Sequence, residues 1–129
     1  MSVANRARGE VILRLGDDTY VLRPTFGAVC EIEDAIGSSL YEIGRRLEGA
    51  EITARDLVAF AHACVTSAGY TVERDRLGSM IVDGGVHITV AVLLAYCRNY
   101  AFGGAPEKKD DTPPLPDPTE SPTSSSAPT

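Results

Sequence analysis

The stretch GEVILRLGDDTYVLRPTFGA, Gly9 to Ala28, changes its hydrophobic period once, and that change sets the architecture. Val11, Leu13 and Leu15 alternate with Glu10, Ile12 and Arg14, so an extended backbone puts the first three on one face. Gly16-Asp17-Asp18 supplies turn chemistry, and Thr19-Tyr20-Val21-Leu22 resumes a β-favourable run, which together predict a hairpin. Two strands alone are marginal in water, so the apolar face must lie on another element. After Pro24 the spacing becomes helical: Thr25 is placed to cap a segment carrying Phe26, Val29, Ile32, Glu33 and Ile36, and Gly37 offers a left-handed stop.

The rest of the ordered pattern is helical. Ser39-Leu40-Tyr41-Glu42 reads as a capping box, with Glu42 set to reach back to the Ser39 amide, and opens a short helix with Leu40, Ile43 and Leu47 that stops at Gly49. Thr53-Ala54-Arg55-Asp56 repeats the start signal, and Leu57, Ala61, Cys64 and Ala68 form the next stripe, flanked by Val58 and Val65 and closed by Gly69. A fourth segment turns apolar at Leu77, Met80 and Ile81, although Gly78 weakens it. Beyond Asp83-Gly84-Gly85, Val86 to Phe102 is apolar nearly all round and is expected to be the helix most enclosed by its neighbours. Its β-branched first half is compatible with a strand, but its length and its Ala- and Leu-rich second half favour helix. The fold class is therefore α+β, an N-terminal β-hairpin on a small bundle of about five helices.

Three divisions are expected: a flexible N-terminus over residues 1–8, a domain over 9–102, and a Pro/Ser/Thr-rich tail over 103–129. The tail holds one large aliphatic residue, Leu115, too little to offset its ordering entropy, so disorder is expected. A docking peptide through Pro113 to Pro118 is the sharper alternative. At 129 residues the chain suits one core, and 18 acidic against 12 basic residues give a net charge of -6, which argues against nucleic acid and anionic membranes as partners. The first eight residues lack the apolar stretch of a secretory signal, and the run Val86 to Cys97 is too short to span a bilayer. Three widely spaced cysteines, Cys30, Cys64 and Cys97, suit free thiols in a reducing compartment, so a cytoplasmic protein is expected.

Catalytic chemistry finds no footing. The cysteines with His62 and His87 could in number ligate zinc, but none shows the short paired spacing of structural sites, and His62 and Cys64 point to different sides of a helix. No Gly-x-Ser-x-Gly elbow or phosphate loop occurs, and Glu31, Glu33 and Asp34 lie on the solvated face of the first helix. Arg45-Arg46 and Arg74-x-Arg76 sit beside Glu42 and Glu48, and Glu73 and Asp75, which reads as surface ion pairing. The expectation is a protein without catalytic residues, metal or cofactor. What remains is apolar surface: Tyr96, Tyr100 and Phe102 end the last helix, and they are the candidate partner-binding residues.

The hairpin and its exit, with Glu31-Ile32-Glu33 and Gly37-Ser38-Ser39-Leu40, resemble the start of small proteins encoded in the tail modules of phages and gene transfer agents, in which a "GEVxLxLG…TYxLRPTFGA" hairpin leads into an "EIE" helix and a "GxSL" turn. The likeness covers the first half of the chain, the second half following only in helical rhythm. It implies a tail assembly chaperone, a non-catalytic cytoplasmic protein that binds the tape measure protein, helps tail tube subunits polymerise around it and self-associates. Some descriptions of the family make it a tail tube component, which implies the alternative, a structural subunit of tube or neck retained in the particle.

Overall fold

The structure, a computed structural model, describes residues 8–103. The expected tail and flexible N-terminus lie outside these residues, except for Gly103 and Arg8. Strands β1 (Val11–Leu15) and β2 (Asp18–Leu22) pair antiparallel, with Leu15 opposite Asp18 and Val11 opposite Leu22. The loop is thus Gly16-Asp17 alone, and Asp18, expected in the turn, begins the second strand. Gly16 has φ +62, the positive value a two-residue hairpin loop needs at its first position to match the strand twist. Leu13, Leu15, Tyr20 and Leu22 share the inner face and are buried, while Arg14 and Thr19 are exposed on the outer one.

Five helices follow: α1 (Phe26–Ile36), α2 (Leu40–Glu48), α3 (Ala54–Ser67), α4 (Arg74–Gly84) and α5 (Val86–Phe102). The hydroxyls of Thr25, Ser39 and Thr53 each accept from the backbone N–H three residues on, at 3.1 Å, so the three start signals act as N-caps. Gly37 ends α1 at φ 83, and its N–H donates to the Glu33 carbonyl at 2.7 Å. The capping box of α2 is divided between two residues. The Leu40 N–H donates to the Glu33 carboxylate at 2.9 Å, whereas Glu42 turns to Arg45 and Arg46. Between α4 and α5 the chain bends by 110° at Gly85. The β-branched start of α5 is helical, as its length favoured.

The most enclosed helix is α3, not α5. Seven of its residues are buried against three of α5, Thr89, Leu93 and Tyr96. Ala59, Ala61 and Ala63 keep its flanks thin, so α1, α4, α5 and β2 all approach it, and Phe60 fills the centre. Burial of a side chain as large as Phe60 contributes about 1.5–3 kcal/mol. By contrast α5 leaves Val86, Ile88, Tyr100 and Phe102 exposed. Ala68, aligned with the apolar stripe of α3, lies past its end in solvent.

Side chains from the helical part fasten the hairpin. The Tyr96 ring meets Phe60 edge-on at 5.9 Å, and its hydroxyl donates to the Arg23 carbonyl at 3.3 Å. Asn99 donates through Nδ2 to the Gly9 carbonyl at 3.0 Å, so α5 holds both ends of the hairpin. From the loop after α3, Tyr70 sits edge-on to Tyr20 at 5.0 Å and accepts the Val21 N–H at 3.1 Å.

Two positions fall short of this packing. The Thr89 hydroxyl is fully buried without a hydrogen-bond partner among the described residues, and Gly78 occupies a helix interior where a Cβ would meet the Val58 methyls at an ordinary 3.5 Å. Thr89→Val, which removes an unpaired hydroxyl at nearly constant volume, is expected to stabilise by about 1–2 kcal/mol. Gly78→Ala is expected to add about 0.5–1 kcal/mol through backbone entropy. Each 1 kcal/mol raises Tm by about 4–8 °C for a domain of this size. Calorimetry checks both, and a lower Tm for Thr89→Val would mean that the hydroxyl is bonded in solution.

Candidate protein-binding groove

The three aromatic residues expected to form one surface strip are divided by the fold. Tyr96 is 0% exposed and belongs to the core, because one helical turn before Tyr100 the side of α5 still faces Phe60 and the hairpin. Tyr100 and Phe102 do reach solvent, at 38% and 83% exposure. A residue not singled out in the sequence joins them: Tyr41, 68% exposed at the start of α2, whose ring lies 5.9 Å from that of Tyr100 at 59°. Its signal was available in the Ser39 capping pattern, which buries Leu40 and so turns the next position outward.

These rings border a groove of about 190 Å³ between α2 and α5, floored by Leu40, Gly44, Leu94 and Cys97. The helices lie close at position 44, where a Cβ would stand at an ordinary contact distance of 3.5 Å from the Cys97 Cβ. Arg45, Glu48 and Arg98 form a charged rim. Arg45 is held by two bonds to the Glu42 carboxylate, at 2.7 and 3.1 Å, and its hydrogen bonding keeps Glu42 below the usual carboxylate range. The ion pairs expected beside Arg45-Arg46 therefore form with Glu42, extended by Glu51 at 3.9 Å from Arg45 and Asp56 at 3.8 Å from Arg46 rather than by Glu48. An apolar floor with aromatic walls and a charged rim is the anatomy of a protein contact.

Other depressions lie elsewhere on the described residues. One of about 620 Å³ lies between α3 and α4 over Val58, Gly78 and Val82, with Arg55, Arg74, Asp75 and Asp83 around it. One of about 300 Å³ sits beneath the hairpin loop, between Leu15 and Met80, with Asp17, Asp18 and Asp83 at its edge.

The chemistry-bearing side chains are scattered. Among the described residues no three His, Cys, Asp or Glu side chains come together as metal ligands. His62 is half-buried, its Nε2 2.9 Å from the Val72 carbonyl and so a donor there, and His87 is exposed. Cys64 is buried in the core, and burial raises its thiol well above the usual value; Cys97, on the groove floor, is pushed up to about 12 by burial and by the nearby Glu48 carboxylate. Cys30 is half-buried on α1. No single helix among the described residues is long and apolar enough to cross a membrane.

These thiols give a test of the groove. With a thiol pKa near 12, about one Cys97 in ten thousand is a thiolate at pH 8, so native protein should alkylate slowly at Cys97 and Cys64 and rapidly at all three cysteines once unfolded. A group whose folded pKa is raised stabilises fully below its unfolded value. This contribution should therefore be present below about pH 9 and be lost as pH rises from about 9 to 12. Site-resolved alkylation by mass spectrometry and a denaturation series in pH check both; fast native labelling of Cys97 would mean an open groove floor.

Against known proteins, residues 8–103 match the family described as "Phage tail tube protein, GTA-gp10", a span that takes in the hairpin and all five helices. No curated protein and no solved structure matches the chain. The match covers well over half of the chain, and the protein belongs to the GTA-gp10 family of phage tail tube proteins.

Proposed function

We propose that the protein is a non-catalytic, protein-binding structural component of a phage-type or gene transfer agent tail, contributing to the tube, with the α2–α5 groove as its contact to neighbouring tail proteins. The observation that carries this reading is the family match over residues 8–103, whose description names a tube protein. The aromatic edge of Tyr41, Tyr100 and Phe102 supports it physically, since exposed aromatic side chains beside an apolar groove are the usual anchors of protein contacts.

The second reading, a chaperone of tail assembly in the bacterial cytoplasm, is favoured by the shape of the same surface. A groove between two helices suits an amphipathic helix laid along it, and a tape measure protein would offer many. The family description weighs toward the structural role.

Quantitative proteomics of purified particles separates the two. A tube component should be present in many copies per particle, in fixed ratio to other tail proteins. A chaperone should be nearly absent from particles and should co-purify from cells with the tape measure protein. Tyr100→Ser combined with Phe102→Ser should weaken either association about tenfold or more while leaving thermal unfolding nearly unchanged, because both side chains already face solvent. Unchanged association would place the contact on another surface.

A further inference from the structure

The stretch Pro113 to Pro118, whose sequence suits a docking peptide, has a fitting surface on its own chain. All prolines but Pro24 lie beyond Gly103, and Pro113, Pro114, Pro116 and Pro118 crowd into this one stretch. Proline fixes φ at about −65° and steers the residue before it toward the same extended region, so such a sequence favours polyproline II and loses little freedom on docking. The counterpart of a polyproline II segment is a groove lined by aromatic rings. Three residues make one turn of about 9 Å, so Pro113 and Pro116 would share a face and Asp117 would follow on the adjoining edge.

The α2–α5 groove offers those rings. Tyr41 and Tyr100 stand 5.9 Å apart at 59°, and Phe102 borders the same groove. At about 190 Å³ the groove is smaller than the roughly 300–1,000 Å³ of small-molecule pockets, which suits a peptide laid along it. Its rim holds an unused cation. Among the described residues the exposed Arg98 side chain has no ion pair or hydrogen bond, whereas Arg45 is held by Glu42 and Glu51. Arg98 and Phe102 are four apart on α5 and so neighbours on one face, which puts the free cation at the aromatic corner. Glu48, also on the rim, is seven residues along α2 from Tyr41, about 10 Å further down the axis. From Asp110 onward the sequence carries Asp110, Asp111, Asp117 and Glu120 and no basic residue, so an acid follows Pro116 where a cation flanks the rings.

Reach is ample. The chain leaves α5 at Phe102, on the groove itself. The stretch from Gly103 to Pro113 can span roughly 33 Å, against about 12 Å for α5 from Leu94 to Phe102. Tethering over a short linker gives an effective concentration of about 1 mM, so even a contact with an intrinsic Kd of about 0.1 mM would be closed about nine-tenths of the time.

We propose that residues Pro113 to Asp117 fold back onto the α2–α5 groove of their own chain, with Pro113 and Pro116 against Tyr41, Tyr100 and Phe102 and with Asp117 at Arg98. A protein that binds this groove must then displace the segment. That consequence rests on the reading of the groove proposed above; the docking itself does not.

The test is nuclear magnetic resonance of the full chain with isotope-labelled proline and unlabelled tyrosine. Filtered NOE spectra should place Pro113 and Pro116 against the Tyr41 and Tyr100 rings, at intensities independent of protein concentration. Asp117→Arg and Arg98→Asp should each weaken docking about fivefold, and the combined Arg98→Asp/Asp117→Arg chain should recover it. Asp117→Arg lies outside the family-matched domain and decides the matter even if Arg98→Asp fails to fold. Absence of the proline contacts overturns the proposal. Contacts that grow with concentration also overturn it, and would put the segment of a second copy in the groove. So do contacts that stay at full intensity in Asp117→Arg. This readout needs no tail protein, so its failure is distinct from that of the groove as a contact to tail proteins, which Tyr100→Ser with Phe102→Ser decides.

Discussion

Everything in this domain leans on one contact, the Tyr96 side chain between Phe60 and the hairpin. The ring fills the space beside Phe60 at the centre of the helices, and the hydroxyl donates to the Arg23 carbonyl where the second strand runs into the first helix. A phenol taken this far from water needs that partner, and burial holds it protonated well above the usual tyrosine range. Because the same residue touches the core and the strand exit, the position of the sheet and the packing of α3 against α5 cannot vary independently. Tyr70 and Asn99 extend the arrangement, one accepting from Val21 and the other donating to Gly9. A two-stranded sheet without independent stability is thereby made part of a helical core.

Much of this was legible in the sequence wherever the determinant was local. Period-two alternation located the hairpin, and Thr25, Ser39 and Thr53 marked helix starts, because capping is a bond between residues three apart. What depends on assembly was not legible. The apolar run of α5 suggested the most enclosed helix, yet enclosure goes to α3, whose alanines permit close approach from four elements. Tyr96 and Tyr100 are the same residue type on the same helix, and only the tertiary packing makes one core and the other surface. Glu33 looked like part of a solvated acidic face, but its carboxylate caps α2, a use that needs α1 and α2 to be placed relative to each other. Two of the three aromatic residues at the groove, Tyr100 and Phe102, could be named from the chain; Tyr41 joins them because α2 folds back against α5.

The same division governs function. The hairpin face turned to the helices is consumed by folding, while Tyr41, Tyr100 and Phe102 stay exposed beside the α2–α5 groove. A domain of this size has few elements to spare beyond those its core needs. The chain belongs to a family of phage tail tube proteins, and the proposed contact uses the groove that the core leaves exposed.

The central structural claim is that hairpin and helices are one cooperative unit held through Tyr96. Native-state amide exchange tests it most directly, by comparing the cross-strand amides of Leu13 and Tyr20 with those of Phe60 to Val65 in α3. The account predicts that both groups open only in global unfolding, with the same opening free energy and the same sensitivity to denaturant. Strand amides that exchange through a low-energy opening while α3 stays protected would contradict it, and would make the hairpin an appendage rather than part of the core.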